Sequence, residues 1–198
     1  MNLILCSGIP ASGKSFFSRE LSKRLDVPYI SKDEIQIDLF YRYGFKSHDE
    51  KLKLVHKADE IMYRTIQDYV LTDRDLIVDK FFKEYETLRS YIQTCDVNVI
   101  SFYLYAEASI LSDRYNKRIE SGERAKPMYI ENVFPEIEGV TKYHPKMTVQ
   151  RIEELELCTK EKTYENSGLR IDTSDLNLDY LSDALRFVKN QMGMGIRH

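Results

Sequence analysis

Residues 8–15 read Gly8-Ile9-Pro10-Ala11-Ser12-Gly13-Lys14-Ser15, which fits the phosphate-loop pattern Gly-x-x-x-x-Gly-Lys-Ser/Thr at every fixed position. Gly8 and Gly13 let the backbone turn so that successive N–H groups point inward and form a nest for phosphate oxygens. The Lys14 ammonium can reach the β- and γ-phosphates of a nucleotide, and the Ser15 hydroxyl is placed to bind Mg²⁺. The stretch therefore predicts a binding site for a nucleotide and its metal ion.

The sequence on either side of this loop supports the same interpretation. Residues 2–7 form a short apolar run of the kind found in buried parallel strands. From Lys14 to Leu25 apolar residues recur at helical spacing, and the N-terminus of such a helix attracts anions. We therefore extend the phosphate site to Phe16. An accidental match would occur in roughly one chain in a hundred of this length, and rarely between a strand and a helix.

The rest of the chain alternates between strand and helix patterns. Further strands are predicted near 27–30, 75–79, 97–105 and 169–171. Helices are predicted in two pieces that break near Gly44, and over 83–94, the region after Tyr105, 128–138 and a last stripe from Leu178 to Met192. Alternation of this kind implies right-handed βαβ crossovers. It predicts one α/β domain over 1–198, with a parallel sheet of about five strands, helices on both faces and a short lid.

Composition weighs against several classes of protein, although a local basic patch that binds nucleic acid remains possible. Lysine and arginine number 29 against 32 aspartates and glutamates, so the net charge of −3 gives no reason to expect tight binding to a nucleic-acid backbone. Cys6, Cys95 and Cys158 are widely spaced and form no zinc pattern, which is typical of reduced thiols in the cytoplasm. No apolar run is long enough to cross a membrane.

The loop, the following helix and Tyr29-Ile-Ser-Lys-Asp33-Glu together resemble the small P-loop kinases. That group includes the kinase domain of phage polynucleotide kinase, the zeta-toxin kinases, chloramphenicol phosphotransferase and gluconate kinase. The resemblance implies the three-layer P-loop NTPase fold, ATP and Mg²⁺ as cofactors, and a hydroxyl group as phosphate acceptor. It does not identify the acceptor, and the oligomeric state is not predicted.

The resemblance also assigns roles to two aspartates. Asp33 stands where the relatives carry the base that takes the proton from the acceptor hydroxyl, although an aspartate before an apolar helix also commonly caps it. Asp79 ends the third predicted strand, where an acid binds Mg²⁺ in many P-loop proteins and contacts the acceptor in polynucleotide kinases. A simple cap at the end of the strand is the alternative.

The spacing of three arginines resembles that in the lid of these kinases. Arg114 and Arg118 lie four residues apart on one helix face, and Arg124 follows in a polar stretch. The resemblance implies a lid over roughly 114–127, whose arginines close over the phosphates and offset charge in the transition state. The alternative is an ordinary solvated face.

Weaker candidates lie further along the chain. Asp172-Thr173-Ser174 resembles the loop beside the adenine in related kinases. An Asp-Thr-Ser sequence is also a common start of a helix. The acceptor is expected to meet roughly 35–70 and 125–165, where Tyr129 and Tyr143 could pack against a ring or a sugar. The four histidines form no ligand spacing and are expected at the surface: His48, His56, His144 and His198.

Two positions depart from the polynucleotide kinases, which have an arginine and an asparagine where this chain has Gln36 and Phe81. Both changes remove polar contacts to a nucleic-acid end, and Phe81 and Phe82 suggest a less polar acceptor unless they turn into the core. The sequence thus favours a kinase that phosphorylates a hydroxyl of a small molecule. A polynucleotide or tRNA 5′-hydroxyl kinase, a nucleotide-sugar kinase and a nucleotide-dependent switch ATPase remain alternatives.

Overall fold

The structure is a computed structural model that describes residues 1–175 and 179–193. Two sequence-based expectations fall outside the described residues, namely Leu178 in the last helical stripe and His198 at the surface.

Five parallel strands form a single sheet, as predicted. The order across it is β2-β3-β1-β4-β5. The strands are β1 (Asn2–Gly8), β2 (Tyr29–Ser31), β3 (Leu76–Asp79), β4 (Asn98–Tyr105) and β5 (Leu169–Asp172).

Helices connect the strands in the predicted alternation. They are α1 (Lys14–Leu25), α2 (Lys32–Tyr43), α3 (His48–Leu71), α4 (Glu86–Ile92), α5 (Ala108–Glu120), α6 (Val149–Leu157) and α7 (Tyr180–Gln191). The fourth is shorter at both ends than the predicted 83–94. None of the described helices is both long enough and apolar enough to span a membrane.

The helices cover both faces of the sheet, which confirms the three-layer α/β architecture. Alternate residues of β1 point to opposite faces, as the period of a strand requires. On one face Ile4 packs with Phe17 of α1 and Val188 of α7. On the other face Leu5 packs with Met62 of α3, together with residues of α4. β1 is therefore buried on both sides, which explains its continuous apolar sequence.

The helix predicted over 128–138 is wrong. The chain forms a short 3₁₀ turn at Lys126–Tyr129 and then an extended segment. Phe134 and Phe45 exchange two backbone hydrogen bonds of 2.8 Å, and Pro135 supplies no N–H for a helix. Ile130 and Phe134 of this segment instead pack against Phe40 and Phe45, at the α2–α3 hairpin.

Candidate active site

The loop predicted to bind phosphate joins β1 to α1 at the carboxyl end of the sheet. A Cβ at Gly8 would lie 2.4 Å from the Leu104 carbonyl oxygen, so only glycine fits beside β4. Gly13, the residue before α1, has φ 85°, a left-handed conformation that glycine adopts without strain. Ala11 also has a positive φ of 67°. The two glycines of the motif therefore stand where a side chain would clash with β4 or strain the backbone.

Lys14 and Ser15 begin α1 directly after the loop. Lys14 is only 9% exposed. Both residues act on Asp79, because the Lys14 charge and the nearby Ser15 side chain each favour its ionised form and so lower its pKa. The loop, the start of α1 and the end of β3 thus meet at one point.

Asp79 is the most deeply buried carboxylate of this region, at 2% exposure. The Ser31 hydroxyl donates to its Oδ2 over 3.0 Å, while Oδ1 has no hydrogen-bond partner among the described residues. Burial raises the pKa of Asp79 and the charge of Asp33 adds to this, against the opposing effects of Lys14, Ser15 and Ser31. A buried carboxylate oxygen without a partner, beside a serine hydroxyl, has the chemistry of a magnesium ligand.

Asp33 lies in the first turn of α2. The cap position of that helix is Ser31, so Asp33 is not the N-cap residue that the alternative interpretation proposed. Its side chain is half-buried and lines the same cleft as Lys14 and Ser15. Pairing of β2 with β3 places Ser31 beside Asp79, and this register brings the start of α2 to the phosphate loop.

A cleft of about 1200 Å³ unites most of the predicted site. Its lining includes these predicted residues: Pro10, Ala11, Gly13, Lys14, Ser15, Phe16, Asp33, Arg114, Arg118 and Arg124. The lining does not include Gly8, Ile9, Ser12, Asp79 or Thr173. Ile9 packs into a small core with Leu111 and Ile152. Ser12 belongs to the loop but is fully buried. Within the described residues, no group of three histidine, cysteine or acidic side chains is arranged to hold a metal.

Thr173 supports the loop from behind. Its hydroxyl lies 3.1 Å from the Ser12 carbonyl oxygen and 3.0 Å from that of Tyr105, and its side chain is fully buried. The threonine therefore joins the phosphate loop to the end of β4. Its backbone carbonyl faces the other way and accepts a hydrogen bond of 2.8 Å from Arg114.

The three candidate lid arginines occupy different environments. Arg114 is half-buried and also donates to the Ser174 carbonyl oxygen over 3.2 Å. Arg118 is exposed on α5. The Arg124 guanidinium lies 4.8 Å from the Tyr115 ring centre, and its buried Nε has no partner among the described residues. Arg124 is therefore fixed by packing, with hydrogen-bonding capacity left over.

Sequence reasoning missed a group of charged residues on the other side of the cleft. Lys32 and Lys80 both line it, and both form ion pairs with Asp59 of α3, over 2.6 and 2.5 Å. The available signal was position, because Lys32 precedes Asp33 and Lys80 follows Asp79 in the chain. Asp59 carried no such signal within its helix.

One of the histidines predicted at the surface is partly covered by neighbouring side chains. His144 is half-buried, and its Nε2 lies 3.3 Å from the Lys51 ammonium of α3, which also donates to the Ile130 carbonyl oxygen. His144 packs there because the segment after α5 folds back on the α2–α3 hairpin. His48 and His56 are exposed, as expected.

The remaining candidates are divided between cleft and core. Gln36 and Phe81 line the cleft, while Phe82 borders it but is 1% exposed and belongs to the core under the sheet. The rings of Tyr129 and Tyr143 lie 6.0 Å apart and are not part of the cleft lining. Of the predicted acceptor regions, 35–70 contributes Gln36, Ile37, Val55 and Tyr63 to the lining, and 125–165 contributes Ala125 and Met128.

Comparison with known proteins places this site in a family. The AAA domain family matches residues 3–132, which contain the phosphate loop, both aspartates and the three arginines. An L-seryl-tRNA(Sec) kinase of Methanococcus maripaludis is 27% identical over 191 residues, covering 86% of this chain and 69% of that protein.

Solved structures share the fold across nearly the whole chain. A Chloroflexus aurantiacus protein superposes with a TM-score of 0.72 at 20% identity, covering 98% of this chain and 97% of the other. A shikimate kinase of Bacteroides thetaiotaomicron gives 0.54 at 11% identity, covering 98% of both chains. A gluconokinase of Sinorhizobium meliloti gives 0.53 at 11%, covering 98% and 95%. The chain therefore belongs to the AAA domain family.

Proposed function

We propose that the protein transfers the γ-phosphoryl group of ATP to a hydroxyl group of a small-molecule acceptor, with Asp33 as the base. The observation that carries this proposal is the position of Asp33, a half-buried carboxylate that lines one cleft with Lys14 and Ser15 of the phosphate loop. A nucleotide switch needs no such carboxylate beside its phosphates, whereas a kinase requires one within reach of the acceptor hydroxyl.

The nucleotide phosphates bind to backbone N–H groups at the end of the loop and the start of α1, from Gly13 to Phe16, and to the Lys14 ammonium. Thr173 contributes indirectly, because its hydroxyl holds the Ser12 carbonyl and with it the loop. Its carbonyl and that of Ser174 are tied to Arg114, which supports a place for this segment beside the base of the nucleotide.

Ser15 and Asp79 would hold Mg²⁺. The partnerless Oδ1 of Asp79 and the Ser15 hydroxyl are oxygen ligands of the kind that this ion prefers, and kinase sites complete its shell with phosphate oxygens and water. When bound, the ion neutralises charge on the β- and γ-phosphates. The Ser31 hydroxyl keeps the Asp79 carboxylate oriented, since it holds the other oxygen.

Transfer begins with the acceptor hydroxyl hydrogen-bonded to Asp33. As the acceptor oxygen forms its bond to the γ-phosphorus, the bond from that phosphorus to the β–γ bridging oxygen breaks, and ADP leaves. The hydroxyl proton passes to the Asp33 carboxylate. Lys14 stays with the phosphates as charge shifts toward the bridging oxygen, and Arg114, Arg118 and Arg124 supply donors from the lid side.

The size of the cleft supports a small acceptor. Ligand pockets in proteins usually measure about 300–1000 Å³, so a cleft of about 1200 Å³ suits a nucleotide with a small acceptor beside it. The free thiols Cys6, Cys95 and Cys158 support action in the cytoplasm.

The test is a transfer screen with labelled ATP and Mg²⁺ against pooled sugars, hydroxy acids, nucleosides and hydroxylated antibiotics. Asp33→Asn should lower the turnover number about 100- to 10,000-fold, with ATP affinity unchanged. Asp38→Asn is the matched control, because Asp38 lies on the same helix, is exposed and pairs with Arg42. Slow ATP hydrolysis without any labelled product, unaffected by Asp33→Asn, would instead favour the switch ATPase.

A second candidate is transfer to an acceptor carried on RNA. It rests on the Methanococcus relative, whose name specifies a seryl-tRNA substrate. The same screen should therefore contain seryl-tRNA and 5′-hydroxyl oligonucleotides. A labelled RNA product at a rate above that for every small acceptor would replace the small-molecule proposal.

A further inference from the structure

Two lysines and one aspartate form a linked group beside the candidate base. The ammonium groups of Lys32 and Lys80 each pair with a different oxygen of Asp59, at 2.6 Å to Oδ2 and 2.5 Å to Oδ1. We call these three side chains the Lys–Asp–Lys cluster. Both lysines line the cleft that contains Lys14 and Asp33.

The fold places this cluster next to both candidate catalytic carboxylates. Lys32 is the first residue of α2 and precedes Asp33, while Lys80 follows Asp79 at the end of β3. Asp59 comes from α3, and its carboxylate pairs with both lysines. The lysines therefore lie on the side of the cleft where Asp33 would meet an acceptor, whereas Lys14 belongs to the phosphate loop.

The cluster has an excess of positive charge. Burial opposes the ionisation of Asp59, but hydrogen bonds from Lys32 and Lys80 outweigh it and lower the pKa of Asp59 below its usual value. At neutral pH one carboxylate thus faces two ammonium groups. The side chains of Lys32 and Lys80 are only 18% and 13% exposed, so solvent compensates little of the remaining charge.

The lysines also have unused donors. An ammonium group carries three N–H bonds. Within the described residues, Lys32 makes one side-chain hydrogen bond, to Asp59, and Lys80 makes two, to Asp59 and to the Tyr63 hydroxyl at 3.2 Å. Partly buried donors of this kind favour an anionic partner inside the cleft.

We propose that Lys32 and Lys80 bind an anionic group of the acceptor, a carboxylate or a phosphate, and so orient its hydroxyl toward Asp33. This inference rests on the proposed kinase function and narrows its acceptor to a hydroxylated anion. It differs from the less polar acceptor that Phe81 and Phe82 suggested, because Phe82 turns into the core and Lys80 lies 5.5 Å from its ring centre.

The test measures binding separately from turnover. The protein is first loaded with Mg²⁺ and a non-hydrolysable ATP analogue, which occupies the phosphate loop. Glycerol 3-phosphate, glycerate and neutral glycerol are then titrated by calorimetry. The wild-type protein should bind one or both anions saturably and ignore glycerol, and the anion that binds distinguishes a phosphate from a carboxylate acceptor.

Three variants complete the experiment. Lys32→Gln and Lys80→Gln should each weaken anion binding roughly 10- to 100-fold without changing the affinity for the nucleotide analogue. Each leaves one lysine to neutralise Asp59, so folding should be retained. Lys53 is exposed on α3, the helix that carries Asp59. Lys53→Gln should therefore bind the anions like the wild type.

The outcomes separate this inference from the proposed function. Binding of the analogue without saturable binding of either anion, or equal anion affinity in the wild type and both lysine variants, overturns the inference and leaves the kinase proposal standing. It would mean that the cluster only connects α2, α3 and β3. Failure of the analogue to bind at all would remove both proposals together.

Discussion

Ser31 and Asp79 are joined across the ends of two neighbouring parallel strands, where the serine hydroxyl donates to Asp79 Oδ2 over 3.0 Å. The second carboxylate oxygen is buried and has no hydrogen-bond partner within the described residues. An ionised carboxylate satisfied on one side only lowers the stability of the folded protein. We therefore expect Asp79 to serve ligand binding at a cost in folding free energy.

Asp79→Asn should stabilise the nucleotide-free protein by about 1 kcal/mol, which raises the melting temperature by about 2–4 °C for a chain of this size. Burial raises the pKa of Asp79 above 3.8, so the folded protein holds this proton more tightly than the unfolded chain. The destabilisation then grows as pH rises through and above 3.8, and the advantage of asparagine should vanish at lower pH.

Thermal unfolding in EDTA across this pH range measures the effect, and calorimetry should show that Mg²⁺-dependent ATP binding is lost in Asp79→Asn. Asp38→Asn, at an exposed position, serves as the control in both measurements. Mg²⁺-dependent binding equal to that of the wild type would remove Asp79 from the metal site.

Thr173→Val should loosen the phosphate loop. The threonine hydroxyl is fully buried within hydrogen-bond distance of the Ser12 and Tyr105 carbonyl oxygens, and valine keeps the shape without the donor. We expect a loss of about 1–3 kcal/mol of stability and a higher KM for ATP. Thr72→Val removes an exposed hydroxyl bonded to the Asp68 carbonyl and should leave the KM unchanged. An unchanged KM in Thr173→Val would mean that the loop holds its shape without this contact.

The sequence was sufficient to predict the sheet and the loop because both depend on local patterns. The apolar run of β1 and the glycines at 8 and 13 are read from neighbouring residues alone. The helix predicted over 128–138 failed for the opposite reason. Its backbone is satisfied by Phe45, which is distant in sequence, and a local pattern cannot report such a partner.

The sequence likewise predicted some residues of the candidate site and missed others. Asp33, Asp79 and the arginines follow strands or helices at positions that a family resemblance marks, so they could be named. The pairing of Lys32 and Lys80 with Asp59 depends on how α3 crosses the sheet. Residue types and spacing along the chain do not contain that information, which is why the lysines were missed.

Lys51→Met should change the pH dependence of stability. Burial, helped by the nearby charge of Arg124, lowers the pKa of Lys51 from 10.5 to about 8. Between these pH values the unfolded chain binds this proton and the folded protein does not, so the contribution of Lys51 to stability rises with pH, by about 1–3 kcal/mol.

The variant should lack this rise, which urea unfolding at pH 8 and pH 10 measures as a difference from the wild type. Lys53→Met, at an exposed position of the same helix, should keep the rise. Identical pH dependence in the wild type and Lys51→Met would contradict the lowered pKa. The pKa of His144 is also lowered, chiefly by burial, so its titration falls below 6.5 and outside this range.

Substitutions of two lid arginines, Arg124 and Arg114, should affect different steps of the reaction. Arg124 has a buried Nε without a partner among the described residues, so Arg124→Gln should lower the turnover number about 100- to 1000-fold with little change in melting temperature. Arg114 is tied to the Thr173 and Ser174 carbonyls, so Arg114→Gln should raise the KM for ATP and lower the melting temperature together. Arg151→Gln, an exposed position on α6, is the control. Steady-state kinetics and thermal unfolding check both variants. A turnover defect confined to Arg114→Gln would reverse the roles of Arg114 and Arg124. The donor to the transition state would then be Arg114, on the nucleotide side of the cleft.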